Sequence, residues 1–126
     1  RKLLQHGVPV VLGSDISGGH TLSMFEVLRY VIQMSKMQYA ASCGQLAPLT
    51  LSEAFYLATK SAGNFFAACD RDRVGSFEKG YAFDALLIGQ HHPDPRSALE
   101  QFIYTGDDRQ ILRRFCQGQT IVPFDN

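Results

Sequence analysis

The segment Gly13-Ser14-Asp15-Ile16-Ser17-Gly18-Gly19 has residue types that can do chemistry, and it follows directly on the apolar run Val8-Pro9-Val10-Val11-Leu12. A carboxylate at the C-terminal end of a parallel strand stands where α/β folds place their reacting groups. The glycines permit a tight backbone and room for a ligand to approach. A simpler reading uses the same residues: Asp15 caps a turn that Gly18 and Gly19 allow to bend. Residue types and position leave both open. A phosphate-binding loop is rejected, although Gly13 and Gly18 have its spacing. Gly19 and His20 stand where that loop needs Lys and Ser/Thr.

The remaining reactive side chains give weaker signals. His6, His20, His91 and His92 form no HxH or HExxH pattern, so this chain alone does not supply an ordinary set of metal ligands. His20 stands out only because it lies near the Asp15 segment. His91-His92 sits among prolines and reads as a solvated loop, and His6 as a cation at a helix end. Ser76-Phe77-Glu78-Lys79 matches SxxK, but it falls between glycines and lacks the companion SDN and KTG motifs. Cys43, Cys69 and Cys116 read as buried or bystander thiols. Asp107-Asp108 reads as a solvated turn, because adjacent side chains point apart.

Asp15 needs elements to hold it. Val8–Leu12 is nearly all apolar, as in a strand covered on both faces of a parallel sheet, with Pro9 near its start. Arg1-Lys2-Leu3-Leu4-Gln5-His6 reads as the last turn of a helix, with Gly7 just beyond it. The chain, which opens without Met, is therefore expected to begin inside a fold. Two helices follow, each announced by a capping box: Ser23-Met24-Phe25-Glu26 and Thr50-Leu51-Ser52-Glu53. Met24, Val27, Leu28, Val31 and Ile32 share a face of the first. Leu51, Ala54, Phe55, Ala58, Ala62 and Phe65 share a face of the second, and Cys43 to Pro48 connects the two.

After Cys69 the texture changes. Asp70-Arg71-Asp72-Arg73 is a polar link, and Val74 to Ile88 carries Gly75 and Gly80 between short apolar pieces, the pattern of strands joined by a turn. Within it, Ala85-Leu86-Leu87-Ile88 is a buried-strand candidate. Ala98 to Tyr104 predicts a short helix. Ile111 to Cys116, Gln117-Gly118 and Gln119 to Phe124 predict a β-hairpin with a two-residue turn. Two regions are expected, residues 1–70 and 71–126.

Composition sets outer limits. The 126 residues carry 12 Lys plus Arg against 12 Asp plus Glu, which gives no electrostatic case for nucleic acid or an anionic membrane as partner. Apolar residues at 45% and charged residues at 19% are those of a globular chain. The apolar runs are far shorter than the ~20 residues of a membrane-spanning helix. Three widely spaced cysteines make no disulfide framework, so a cytoplasmic location is expected.

Several segments together resemble the amidohydrolase superfamily, and within it the guanine deaminases. Val10-Val11-Leu12-Gly13-Ser14-Asp15 followed by Ser17-Gly18-Gly19 is similar to the superfamily's last barrel strand and the turn after it. Val74-Gly75-Ser76-Phe77-Glu78-Lys79-Gly80 with Phe83-Asp84-Ala85 resembles the return into a small β-sandwich. Gly106-Asp107-Asp108-Arg109, Val122-Pro123-Phe124 and the helix with Leu57-Ala58-Thr59 fit as well. The resemblance runs in order along essentially the whole chain.

It implies an α/β fold, the C-terminal part of a metal-dependent hydrolase (β/α)8 barrel plus strands of a β-sandwich. It also implies a zinc-dependent conversion of guanine and water to xanthine and ammonia, with a small-molecule purine as substrate and a homodimer as the full-length form. Asp15 is the one residue here that the resemblance assigns a role, as a zinc ligand and as the group that shuttles the proton. The family's other metal ligands, an HxH and later single histidines, and its assisting Glu would lie upstream of Arg1. Asp84 and Gly106-Asp107-Asp108-Arg109 read as structural. The loops from Cys43 to Leu49 and from Ile88 to Ser97 look short for the family. Such a chain is expected to be inactive alone. The alternatives are another amidohydrolase, acting on a different aminated or halogenated heterocycle, and a non-catalytic association module.

Overall fold

The helices begin where side chains can take up their free amides. In the computed structural model, which describes residues 1–69, 72–89 and 92–121, Thr50 opens helix α3 (Leu51–Ala58) with a complete capping box. The Thr50 hydroxyl accepts from the Glu53 amide at 3.2 Å, and the Glu53 carboxylate accepts from the Thr50 amide at 2.8 Å. Ser23 opens α2 (Met24–Ala41) with half of that device, its hydroxyl accepting from the Glu26 amide. Asp94 caps α5 (Pro95–Thr105), where Pro95 fills the first position and needs no amide partner.

The first turn, α1 (Lys2–Gln5), ends as its composition predicts. Gly7 has φ +71°, its amide donates to Leu4, and the Val8 amide donates to Leu3, the paired bonds of a Schellman ending.

Val8–Leu12 joins no sheet among the described residues. It bonds sideways to helices: Leu12 N–H donates to the Leu57 carbonyl, and Ser61 Oγ donates to the Val10 carbonyl.

The expected long second helix is two helices, α3 and α4 (Lys60–Ala67), broken at Thr59 with φ −118° and ψ −90°. Beyond the break Phe65 lies 57% exposed, off the face it was expected to share.

The second region holds less strand than its glycine-punctuated pattern suggests. Only β1 (Ala85–Ile88) forms between Val74 and Ile88. It pairs antiparallel with β2 (Ile111–Cys116), which pairs antiparallel with β3 (Gln119–Ile121). The order is β1-β2-β3, with a register shift between Leu87 and Ile88. The β2–β3 turn is the expected one: Gln117 and Gly118 both have positive φ, +50° and +79°, which suits the twist of a tight hairpin. Asp70, Arg71, His91 and the Val122-Pro123-Phe124 end of the hairpin lie outside the described residues.

One core joins the two regions. Leu28 and Ile32 of α2, Leu51 and Ala54 of α3 and Ile103 of α5 are buried against one another, and Leu12, Phe25, Phe55 and Leu99 pack around them. Phe25 also meets the buried ring of Phe102 edge-on, with centroids 4.8 Å apart. Residues before and after the polar link therefore share apolar contacts. At the opposite edge, Arg1 fastens the α2–α3 connection. Its guanidinium donates to the carbonyls of Ala47 and Pro48 and in bidentate fashion to Glu53 at 2.6 and 2.8 Å.

Candidate functional site

Asp15 sits at the end of the extended segment, on a turn that its own neighbours force into unusual geometry. Asp15 has φ +48° and Ser17 φ +71°, left-handed values that cost a side-chain-bearing residue about 1–2 kcal/mol. Asp is among the residues that tolerate this region best. The Asp15 carbonyl accepts from the amides of Gly18, at 2.9 Å, and Gly19.

Both glycines are explained by space. A Cβ on Gly18 would lie 2.6 Å from Asp15 Oδ2, and one on Gly19 would collide with the Ser14 carbonyl. The turn thus folds back on itself beneath the carboxylate. Asp15 is exposed, and no cation pairs with it among the described residues.

The clamp behind this turn carried no sequence signal. The break at Thr59 takes the Leu57 carbonyl out of the regular helical ladder, and it accepts from Leu12 N–H at 3.2 Å. Ser61, just past the break, donates its hydroxyl to the Val10 carbonyl at 2.8 Å. Val10 C=O and Leu12 N–H are two residues apart and so leave an extended segment on the same edge. Three residues later comes Asp15. A polar residue near a helix start is too common to single out Ser61 from sequence.

The other candidates are not brought to Asp15's carboxylate. His20 is exposed and meets Tyr30 edge-on, ring centroids 4.2 Å apart. His6 Nδ1 lies 2.8 Å from the Lys2 carbonyl at a helix end, and His92 Nδ1 accepts from the Asp94 amide within its loop. Ser76 accepts from Glu78 N–H, and Glu78 pairs with Lys60 at 2.6 Å.

Asp107 caps a short 3-10 helix (Asp108–Gln110) and pairs with Arg109 at 2.6 Å, which holds its carboxyl below the ordinary range. Asp84 Oδ1 accepts from Gln117 N–H at 2.7 Å, tying β1 to the hairpin turn. Cys43, Cys69 and Cys116 are free and exposed rather than buried. A cavity of about 670 Å³ opens elsewhere, between α2, α3 and the sheet, lined by Phe25, Leu28, Phe55, Phe77 and Leu86 among others.

Among the described residues no three His, Cys, Asp or Glu side chains converge as a metal site needs. Asp15 can fill one position of such a set, as an exposed oxygen donor. The remaining positions require residues other than these.

The family model for the amidohydrolase family matches residues 1–121. The chain belongs to the amidohydrolase family. Within that family it is similar to guanine deaminases. It is 33% identical to one from Rattus norvegicus over 98% of this chain, and 37% identical to one from Dictyostelium discoideum over 96%. It spans only 30% and 28% of those two proteins.

Among solved structures, a guanine deaminase from C. acetobutylicum with guanine bound in its active site superposes with a TM-score of 0.87 at 49% identity. That match covers 96% of this chain and 29% of the other. Guanine deaminase from E. coli, at 24% identity and a TM-score of 0.76, supports the amidohydrolase fold alone. No helix among the described residues of this amidohydrolase chain is long and apolar enough to cross a membrane.

Proposed function

We propose that this chain is the C-terminal part of a zinc-dependent guanine deaminase, acting in purine catabolism on guanine and water to give xanthine and ammonia. The observation that carries the reading is the 49% identity and 0.87 TM-score against a guanine deaminase solved with guanine bound. Residues 1–70 then belong to the end of the barrel, and residues 71–126 to a small β-sandwich with a short helix. The grouping of α1–α4 before residue 70 and of all three described strands after it supports that division. The working form is a cytoplasmic homodimer.

Asp15 is the catalytic residue and one metal ligand in this reading. Zinc, held in part by Asp15, would supply a Lewis acid that makes water nucleophilic near neutral pH. The Asp15 carboxylate takes a proton from the attacking water and returns it to the amine that leaves, so one group serves as base and then acid. Its exposure on a folded-back turn supports that role.

The complete protein carrying this chain is expected to form xanthine from guanine, and the 126 residues alone are not. Asp15→Ala should lower turnover by about a hundred- to ten-thousandfold, the range for losing a positioned acid–base group. A wild-type rate in that variant, or zinc-dependent xanthine formation by the 126-residue chain, would overturn the reading. A panel of other aminated and halogenated heterocycles separates guanine deamination from the activity of another amidohydrolase.

A further inference from the structure

We infer that Ser61 is a positioning residue for Asp15, acting through the Val10 carbonyl from the far side of the helix break at Thr59. The inference rests on the proposed role of Asp15. Asp15 reaches its place at the end of an extended segment that pairs with no strand among the described residues. Among the described residues a pair of bonds ties that segment: Ser61 Oγ–H to Val10 C=O at 2.8 Å, and Leu12 N–H to Leu57 C=O at 3.2 Å. The Leu57 bond exists because α3 and α4 are separate helices. In one continuous helix, Leu57 C=O would instead accept from Ser61 N–H, four residues on.

The break is itself held from outside. Gly63 lies against the Val74 carbonyl so closely that a Cβ there would overlap it, and a Cβ on Gly75 would overlap the Thr59 carbonyl. Two side-chain-free positions thus let the chain return at 74–75 and press on the break. Gly75 also has φ +83°, which favours glycine. Thr59 contributes by donating its hydroxyl to the Phe55 carbonyl at 2.7 Å, a back-bond that bends helices. The same few residues therefore pack at the break, the break frees the Leu57 carbonyl, and Leu57 with Ser61 ties the segment that ends in Asp15. Ser61 is half-buried, so its hydroxyl is partly shielded from competing water.

The test compares Ser61→Ala, Ser61→Thr and Ser61→Val in the complete protein, with guanine turnover and backbone hydrogen exchange read on the same samples. Thr and Val have the same shape and differ in the hydroxyl, so the pair isolates the bond even if Ala perturbs packing. Loss of one hydrogen bond should lower kcat about fivefold to tenfold in the Ala and Val variants, with KM for guanine within about twofold. Exchange at Gly13 to Gly19 should quicken by a similar factor while α2 keeps its protection, and Thr should restore both.

Wild-type exchange at Gly13 to Gly19 in Ala and Val overturns the inference whatever happens to kcat. So does equal behaviour of Thr and Val. If the wild-type protein forms no xanthine, the proposed function fails, yet the exchange comparison still decides whether Ser61 holds the Asp15 segment.

Discussion

Asp15, Gly18 and Gly19 form a unit whose parts cannot be exchanged independently. Gly19 meets the Ser14 carbonyl where a Cβ would stand, so the backbone must move if that space is filled. Gly19→Ala is expected to destabilise the chain by about 1–3 kcal/mol, as overpacking does, with urea-induced unfolding as the measure. Gly18→Ala meets the Asp15 carboxylate instead, a side chain that can swing away, and should cost less stability while displacing the carboxylate.

Charge acts at the same scale around Arg1. Its guanidinium, with the Thr50 amide, lowers the Glu53 carboxyl from an ordinary 4.5 to about 2. Because the folded value is the lower one, the stabilisation is complete above pH 4.5 and is lost as pH falls toward 2. The Glu53 side chain is 39% exposed, so solvent screening reduces the effect to about 1 kcal/mol. Unfolding free energies at pH 7 and pH 3 should differ less in Glu53→Gln than in the wild type.

At the scale of elements, the helix starts are fixed locally and the helix break is fixed remotely. Thr50 and Glu53 complete each other's bonds within one turn, so Thr50→Ala should cost about 1 kcal/mol in thermal or urea unfolding. Gly63 gains its importance from Val74, eleven residues along the chain. Gly63→Ala should improve local helix propensity and still destabilise the protein, because the added methyl overlaps the Val74 carbonyl. A rise in stability on that substitution would show that segment 74–75 does not press on the break.

Across the whole molecule, Ile103 is one of the residues that tie the regions together. It is fully buried, and it comes from α5 while its partners Leu28, Ile32, Leu51 and Ala54 come from α2 and α3. Ile103→Ala should remove about 2–5 kcal/mol of stability. Because one core serves both regions, helix signal and sheet signal are expected to be lost together in a single transition. Two separate transitions would mean that the polar link divides two independent folding units.

Local rules written in neighbouring residues made much of this protein legible in its sequence. Thr50 and Glu53 announce α3, Asp94 and Pro95 fix the start of α5, Gly7 ends α1, and Gln117-Gly118 turns the hairpin. Each depends on atoms only a few residues apart, as does the strained turn that carries Asp15. The Gly-Ser-Asp segment was legible as a candidate site for the same reason.

The sequence could not show that Val10 and Leu12 bond to Ser61 and Leu57, or that the second helix breaks at Thr59. Helical periodicity runs through Phe65 undisturbed, and at the break the chain packs against Val74 and Gly75, which arrive from elsewhere. Ser61 gave no signal because its partner, Val10, is 51 residues away. Hydrogen bonds between turns of one helix are set by adjacent residues, whereas those that place Asp15 form only once distant segments have packed.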